Sequence, residues 1–258
     1  MAEKNSISLI VSSCDSYSDL WIMFANTFNE CFPEFSGEKW LLSNNKTFDY
    51  NGFSSLRVGE DISWSSNLSL ALREITTEYV LLALDDLFLK EKVDNKLFEK
   101  VFYDFVSLNG NYLKMIVAPK SSVSSESIYF NVLEKGSLYR STAVLTIWRV
   151  SVLKEILVDN ESAWEFEEKS ALRSDNYEGF YVVRKNFFST LHMVVRGKIL
   201  KKSIKELNQL VPGWRKYTTR KVQTKREALR QVYKDFRHYI FTTLIPARFR
   251  RKLKVYFS

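Results

Sequence analysis

The segment that decides the fold is Glu78-Tyr-Val-Leu-Leu-Ala-Leu-Asp-Asp86. Its apolar part, Tyr79 to Leu84, is the most continuous apolar run in the chain, which is typical of a central parallel strand covered on both faces. Two adjacent aspartates follow it directly. Outward from this run, short apolar stretches alternate with helical patterns up to residue 119, and this order predicts an α/β fold with a mostly parallel sheet.

Hydrophobic spacing places the individual elements of this predicted sheet. Strands are expected at residues 6–13, 39–42, 56–58, 79–84 and 112–118, and helices at 18–33, 64–75 and 93–108. Beyond residue 127, strands expected at 129–133 and 139–148 lack long crossover helices, so the sheet is predicted to become mixed.

The aspartate pair at the strand exit is the strongest chemical signal. Two ionised carboxylates side by side, as at Asp85 and Asp86, cost free energy at the end of a buried strand unless a cation neutralises them. Carboxylate oxygens suit Mg²⁺ or Mn²⁺, which bridge such groups to phosphorylated substrates. Asp15 also follows a strand, and ligands of parallel sheets bind at these carboxyl ends. A helix cap or a surface turn is the alternative interpretation of the pair.

The second signal is Trp164-Glu-Phe-Glu-Glu168, in which three carboxylates lie beside two aromatic rings. A carboxylate held against apolar rings has a raised pKa and can act as a general base, and aromatic faces stack on sugars. The alternative is an ordinary acidic helix face whose Trp and Phe turn toward the core.

The charge is divided unevenly along the chain. The formal charge is +8, yet residues 200–258 hold 17 Lys and Arg against 3 Asp and Glu, which leaves the preceding residues acidic. After Pro212-Gly213, apolar residues recur on one side of a predicted helix and basic residues on the other, and segment 247–257 repeats the mixture. The apolar stripe comprises Val222, Leu229, Val232, Tyr233, Phe236 and Ile240. Such a tail is typical of binding to an anionic membrane surface.

Cysteine and histidine usage excludes several classes of site. Cys14 and Cys31 lack CxxC spacing, and His192 and His238 are the only histidines, so neither a zinc site nor a disulfide framework is expected. The apolar run near the N-terminus is too short for a secretory signal, and no stretch approaches a membrane span. We therefore expect a cytoplasmic protein peripherally associated with the inner face of the cytoplasmic membrane.

Four segments in this order resemble GT-A glycosyltransferases of bacterial surface-polysaccharide synthesis, and most closely the family-two-like enzymes that assemble capsule, O-antigen or lipopolysaccharide. The segments are Ser8-Leu-Ile-Val-Ser-Ser-Cys-Asp15, Glu60-Asp-Ile-Ser-Trp64, Glu78 to Asp86, and Trp164-Glu-Phe-Glu167. The resemblance covers residues 6–200. It implies a GT-A domain at 1–211, with a nucleotide-sugar half at 1–119 and an acceptor half at 120–211, and a membrane-associating tail at 212–258.

The resemblance also implies residue roles for the nucleotide-sugar donor. Asp85 would face the ribose or sugar, and Asp86 the metal and the diphosphate. The sequence has Asp-Asp-Leu in place of the family's DxD spacing, which puts dependence on Mn²⁺ or Mg²⁺ in question. Other donor contacts are assigned to Ser12, Ser13, Asp15 and Asp61, with Arg196 and Lys198 neutralising the diphosphate and His192 as a further metal ligand.

On the acceptor side, the resemblance implies a lipid-linked glycan and an acidic general base. Glu167 is the best positional match for the base of an inverting displacement, and Glu165 is the second choice. A retaining outcome stays open. Trp148 and Trp164 are assigned as acceptor-stacking surfaces, with a place in the core as the alternative.

Two other functions compete with transfer. A nucleic-acid-binding protein would explain the basic tail, but an acidic body would repel a polyanion, so no nucleic acid is expected as a partner. A catalytically inactive GT-A-like binding partner would explain the altered aspartate motif. The sequence gives no indication of the oligomeric state.

Overall fold

The structure, a computed structural model, describes residues 3–118 and 120–244. Its strands in chain order are β1 (Glu3–Ser12), β2 (Lys39–Ser43), β3 (Phe53–Arg57), β4 (Thr77–Leu84), β5 (Leu87–Leu89), β6 (Tyr112–Lys114), β7 (Phe130–Val132), β8 (Thr146–Arg149), β9 (Phe180–Val183), β10 (Thr190–His192), β11 (Val194–Val195) and β12 (Lys198–Ile199). Its α-helices are α1 (Ser18–Cys31), α2 (Trp64–Ala71), α3 (Asn95–Ser107), α4 (Val150–Ile156), α5 (Ala163–Arg173), α6 (Ile204–Leu210) and α7 (Lys225–Leu244).

The main sheet has the strand order β3-β2-β1-β4-β8-β6-β9-β7. Strands β1 to β4 pair in parallel, β8 is antiparallel to both of its neighbours, and β6 is parallel to β9. The sheet is therefore parallel in the first half of the chain and mixed in the second, as predicted. Because β8 reverses between β4 and β6, the carboxyl ends of β1, β4, β6 and β9 share one edge.

Strand β4 is central because its side chains are buried on both faces of the sheet. On one face, rings from α1, β3 and the segment after β4 interlock edge to face, among them Phe24, Phe53 and Phe88. On the other face, α2, α4 and α5 cover a second apolar layer. The continuous apolar run at 79–84 is thus explained by helices and loops that exclude water from both sides.

Trp148 belongs to this second layer. Its side chain is fully buried, with its ring centroid 4.6 Å from that of Tyr112 and 5.8 Å from that of Phe180. A buried ring offers no face to a sugar, so the predicted acceptor role of Trp148 is wrong and the residue is part of the core. Trp164, in contrast, is 79% exposed.

The strand expected at 139–148 is shorter than predicted. Only Thr146–Arg149 is extended into the sheet, because the preceding segment turns back around the buried side chain of Arg140. The guanidinium donates to the carbonyl oxygens of Leu133 and Tyr177, each at 3.0 Å, and lies 4.3 Å from the ring centroid of Phe180. These long-range bonds hold the segment in a loop.

The end of the described chain is helix α7, whereas the predicted segment at 247–257 lies outside the described residues. Val222 precedes α7 and pairs with Ile199 instead of joining the helical stripe. The proposed division into units at 1–119, 120–211 and 212–258 stays a prediction. Within residues 3–118 and 120–244, no helix combines the length and the apolar composition that crossing a bilayer requires.

Candidate functional site

A cavity of about 310 Å³ opens at the carboxyl ends of β1 and β4. The two strands are parallel neighbours with Ser12 opposite Leu84, so the residues that follow each strand reach the same edge. The lining residues come from five segments of the chain and include Ser12, Ser13, Tyr17, Asp61, Trp64, Asp85 and Ala163. This placement brings together four residues predicted to contact a donor, Ser12, Ser13, Asp61 and Asp85, which lie far apart in the sequence.

Two indole groups hold the serines of the first loop. The Nε1–H of Trp64 donates to Ser12 Oγ at 2.8 Å, and that of Trp21 donates to Ser13 Oγ at 2.6 Å. The Ser13 hydroxyl in turn donates to the Asp85 carboxylate. One wall of the cavity is thereby fixed by a chain of hydrogen bonds that starts in the core.

The two aspartates have different environments. Asp85 is buried, and burial followed by the negative charge of Asp86 raises its pKa well above the ordinary value. Asp86 is more accessible, and its Oδ2 lies 3.2 Å from Nε2 of His192. His192 arrives there because β10 pairs antiparallel with β5, immediately after the aspartates. The structure thus brings His192 to Asp86, whereas its role as a metal ligand stays a prediction.

The side chains near Asp86 supply only some of the ligand atoms that a hard metal cation needs. In the described part of the chain, no three His, Cys, Asp or Glu side chains are grouped to hold a metal ion. Asp86 and His192 offer two ligands, and ions such as Mg²⁺ keep several waters or phosphate oxygens in their coordination shell. The residues therefore fit an ion that a diphosphate helps to hold, but not an ion bound by protein alone.

Asp61 and Asp15 differ in position. Asp61 lines the cavity and accepts a 2.7 Å hydrogen bond from the side-chain amide of Asn67. The Asp15 carboxylate instead accepts backbone N–H groups of residues 44–46 at 3.0 to 3.2 Å. These N–H groups outweigh the desolvation that would raise the pKa of Asp15, and the net shift is downward. Asp15 is therefore a tie between two loops, which corrects its predicted contact with the donor.

Arg196 and Lys198 do not line this cavity either. They lie in the β11–β12 hairpin and line a second cavity against α7, where Lys198 pairs with Glu227. Their predicted contact with the donor diphosphate is corrected on this ground.

A different cation, Arg220, approaches the first cavity. It donates to both carboxylate oxygens of Asp19 at 2.8 Å, and its guanidinium carbon lies 4.2 Å from the ring centroid of Tyr17. Its charge lowers the pKa of Asp85 against the larger effects of burial and of Asp86. Arg220 and Asp19 lie about 200 residues apart, and no local sequence pattern announces their pairing.

The acidic segment 164–168 forms the first turns of α5, whose Ala163 lines the cavity. Glu165 completes a capping box with Ser162, and the N–H and hydroxyl of Ser162 together with Lys169 lower its pKa to about 2. Its carboxylate is thus engaged by Ser162 and Lys169, and its role as an alternative base stays a prediction. Trp164 is exposed next to Ala163, and its contact with an acceptor stays a prediction.

Glu167 lies one turn along α5 from Ala163 and therefore on the same side of the helix. It is half-buried, and its Oε1 accepts the backbone N–H of Ala143 at 3.1 Å. Glu167 is not among the residues that line the cavity, so its role as the base stays a prediction.

Lys114 is the residue that sequence reasoning missed beside Glu167. It ends β6 at the same edge of the sheet and is buried. Burial lowers the pKa of Lys114 to about 8, against the opposing attraction of Glu167. The available signal was a lysine inside the apolar run Tyr112-Leu-Lys-Met-Ile116, where lysine is seldom tolerated without a reason.

Comparison with solved structures finds a similar fold in one structure of a known protein and weaker likenesses in others. The structure of Staphylococcus aureus TarS 1–349 in complex with UDP-GlcNAc is similar, with a TM-score of 0.51 and 14% identity. The match covers 98% of this chain and 71% of the TarS chain. The match to a longer TarS structure has a TM-score of 0.46 and 12% identity, and covers 98% of this chain but only 42% of TarS. A cytidylyltransferase from Leptospira borgpetersenii matches 66% of this chain and 71% of its own length, with a TM-score of 0.41 and 10% identity.

At 14% identity the likeness to TarS shows the fold alone. The chain has a GT-A-type α/β fold with a mostly parallel central sheet, as predicted. No protein-family model matches the sequence, and neither does any curated protein.

Replacing Lys114 tests how much free energy it costs to bury its charge at the carboxyl edge of the sheet. The pKa of Lys114 is about 8 in the folded chain, against an ordinary 10.5. Between pH 8 and pH 10.5 the unfolded chain binds more protons than the folded chain. The free-energy cost of burying the charged Lys114 amine is therefore complete below pH 8 and disappears as the pH rises toward 10.5. We expect Lys114→Met to raise the free energy of unfolding at pH 7 by about 3 kcal/mol, on the scale of 1.36 kcal/mol for each pKa unit. Urea unfolding at pH 7 to 10 measures the gain and its decline.

Lys100→Met is the control, because Lys100 is exposed on α3. It should leave stability unchanged across this pH range. A Lys114→Met protein that is no more stable than the parent at pH 7 contradicts the assignment.

Proposed function

We propose that the protein is a glycosyltransferase that moves a sugar from a nucleotide-sugar to a hydroxyl group of a glycan acceptor. The observation that carries the proposal is one cavity, at the carboxyl edge of parallel strands, that joins the Asp85 carboxyl to the start of α5. A GT-A-type fold supports it, because the similar TarS structure was solved with UDP-GlcNAc bound. Ligands of parallel sheets bind at such an edge.

The donor is proposed to lie across this cavity. The rings of Tyr17 and Trp64 offer faces for stacking the base, and the Asp61 carboxylate and the two loop serines offer acceptors for its polar edge and ribose. The diphosphate is assigned to the side of Asp86, where His192 lies. A bound Mn²⁺ or Mg²⁺ at Asp86 and His192 would supply positive charge to the departing nucleoside diphosphate.

Glu167 is proposed as the base that accepts the proton of the attacking hydroxyl. It projects from the side of α5 that reaches the cavity, and its Oε1 accepts the backbone N–H of Ala143. The Lys114 ammonium attracts the Glu167 carboxylate electrostatically. A single displacement with inversion of configuration follows from a base placed opposite the leaving group.

Helix α7 supports membrane association, because its apolar face turns away from the body. Leu229, Val232, Tyr233 and Phe236 follow i, i+3, i+4, i+7 spacing and are each more than half exposed. The opposite face is tied to the body by the ion pairs Lys198–Glu227 and Lys202–Asp235. A helix of a globular protein normally buries its apolar face, so this orientation favours an anionic bilayer as the surface it contacts. A lipid-linked glycan is the acceptor class that fits such an orientation.

Asp86→Asn tests the donor site. We expect it to weaken binding of UDP-GlcNAc in the presence of Mn²⁺ at least tenfold and to abolish sugar transfer and slow donor hydrolysis, because a neutral amide holds a divalent cation poorly. Isothermal titration with and without Mn²⁺, followed by assay of released UDP, measures both effects. GDP- and CDP-linked sugars form a parallel panel.

Asp49→Asn is the matched control, since Asp49 is exposed and lies away from the cavity. It should bind and turn over donor like the parent. Absence of binding of every nucleotide-sugar by the parent chain, with or without Mn²⁺, would refute the proposed function.

Glu167→Gln tests the base. Loss of a general base lowers turnover by a factor of about 10² to 10⁴, so we expect transfer to fall in that range while donor affinity stays within twofold. Glu165→Gln is the matched control on the same helix, because Gln at this position also completes a capping box. Comparing turnover and its pH profile for the two variants distinguishes them. Equal activity of Glu167→Gln and the parent means that another group accepts the proton.

The membrane assignment is tested on vesicles of phosphatidylglycerol and phosphatidylcholine. Replacing Leu229 and Phe236 by Ser should reduce binding of the full chain to anionic vesicles at least tenfold, because these side chains supply the apolar area that inserts. Ile128 and Leu172, equally exposed but on the body, form the control pair. The same loss in the control pair, or none in either pair, contradicts a specific role of α7.

A further inference from the structure

A second cavity lies between the β11–β12 hairpin and helix α7, with a volume of about 350 Å³. Its lining includes four cationic side chains, Arg196, Lys198, Arg230 and Lys234, and one carboxylate, Glu227. It shares no lining residue with the donor cavity. The charge of this second cavity is therefore strongly positive, whereas the aspartates dominate the first.

Most of this positive charge is uncompensated. Glu227 pairs with Lys198, which accounts for one cation. The exposed side chains of Arg196, Arg230 and Lys234 have neither an ion pair nor a hydrogen bond with any residue in the described part of the chain. Like charges gathered in one cavity repel each other, so their common arrangement favours an anion between them.

A buried amide also lines this cavity. Gln223 is 8% exposed, and its Oε1 accepts the backbone N–H of Lys201 at 3.4 Å. Its Nε2 group has no hydrogen-bond partner within residues 3–118 and 120–244 and is accessible to solvent. An anionic oxygen in the cavity would accept this free N–H.

The turn that presents Arg196 is strained. Arg196 and Gly197 both have positive φ, +52° and +73°, as the two central residues of a tight hairpin. Asn is favoured at the first of these positions, and a long side chain is disfavoured in the left-handed region. The turn therefore places the Arg196 side chain at the cavity although other residues would form this turn more easily.

Arg220 contacts both the hairpin that carries Arg196 and a residue of the donor cavity. Its Nη1 lies 3.5 Å from the carbonyl oxygen of Gly197 in the hairpin turn, and its guanidinium carbon lies 4.2 Å from the ring centroid of Tyr17, which lines the donor cavity.

We propose that the second cavity binds a phosphate group, as a phosphomonoester or a diphosphate. Three free cations and an amide N–H match the charge and the several acceptor oxygens of such a group. The cavity is distinct from the donor diphosphate site, and the proposal does not depend on glycosyl transfer. The phosphate belongs to a molecule in solution or to a lipid headgroup, two sources with the same chemistry.

The test is calorimetric titration of the full chain with inorganic pyrophosphate and with glycerol 3-phosphate in EDTA, so that no divalent ion recruits either probe to the aspartates. Replacing Arg230 and Lys234 together by Gln should weaken pyrophosphate binding at least tenfold. Replacing Lys225 and Arg226 by Gln removes the same charge from the same helix outside the cavity, and should change binding less than twofold. Circular dichroism and thermal unfolding verify that both proteins are folded.

Vesicles of phosphatidic acid, compared with phosphatidylglycerol, identify the source of the phosphate. If the Arg230 and Lys234 double variant binds both soluble probes more weakly than the parent, the phosphate is carried by a molecule in solution. If it loses binding only to phosphatidic acid vesicles, the phosphate belongs to a lipid headgroup. UDP-GlcNAc binding in Mn²⁺ should be the same in the cavity variant and the parent, whether or not the proposed transferase activity holds. Equal loss in both double variants, no loss in either, or parallel loss of UDP-GlcNAc affinity overturns the proposal.

Discussion

The burial of the Asp85 carboxyl where β1 and β4 end together is the constraint on which the proposed donor cavity depends. Parallel pairing of these strands leaves no freedom in where their next residues lie, so Ser13 and Asp85 meet. The Ser13 hydroxyl is oriented by the indole of Trp21, which belongs to the core. Because burial raises its pKa, the Asp85 carboxyl carries less negative charge than an exposed one. The more exposed Asp86 is the carboxylate that faces cations.

The C-terminal part of the described chain completes the site through one arginine. Arg220 joins Asp19 at the start of α1 to the turn at Gly197, so the segment before α7 is fastened over the edge of the sheet. With this attachment α7 holds its ionic face toward the body and its apolar face outward. The orientation of α7 follows from these ion pairs and not from burial of its apolar residues.

Several site residues were predicted from local patterns, and others were not. The exit of an apolar strand was sufficient to single out Asp85 and Asp86, whereas Glu167 was singled out by the resemblance to a known family and lies on α5. Trp148, Asp15, Arg196 and Lys198 were assigned roles that their positions do not support. An aromatic ring, a carboxylate and a basic hairpin have the same appearance in a sequence whether they face a ligand, the core or another loop. Lys114, Tyr17 and Arg220 were missed because their partners are distant in the chain.

Alternation of apolar runs and helical periodicities determined, by itself, the α/β class, the centrality of the strand at 79–84 and the change to a mixed sheet, since these depend on which residues exclude water. Only the tertiary structure decided which polar groups meet: Asp86 with His192, Glu167 with Ala143, and Asp19 with Arg220. The physical reason is that burial is read from the spacing of neighbouring residues, whereas hydrogen bonds and ion pairs form between side chains that only strand order and loop closure bring within 3 Å to 4 Å of each other.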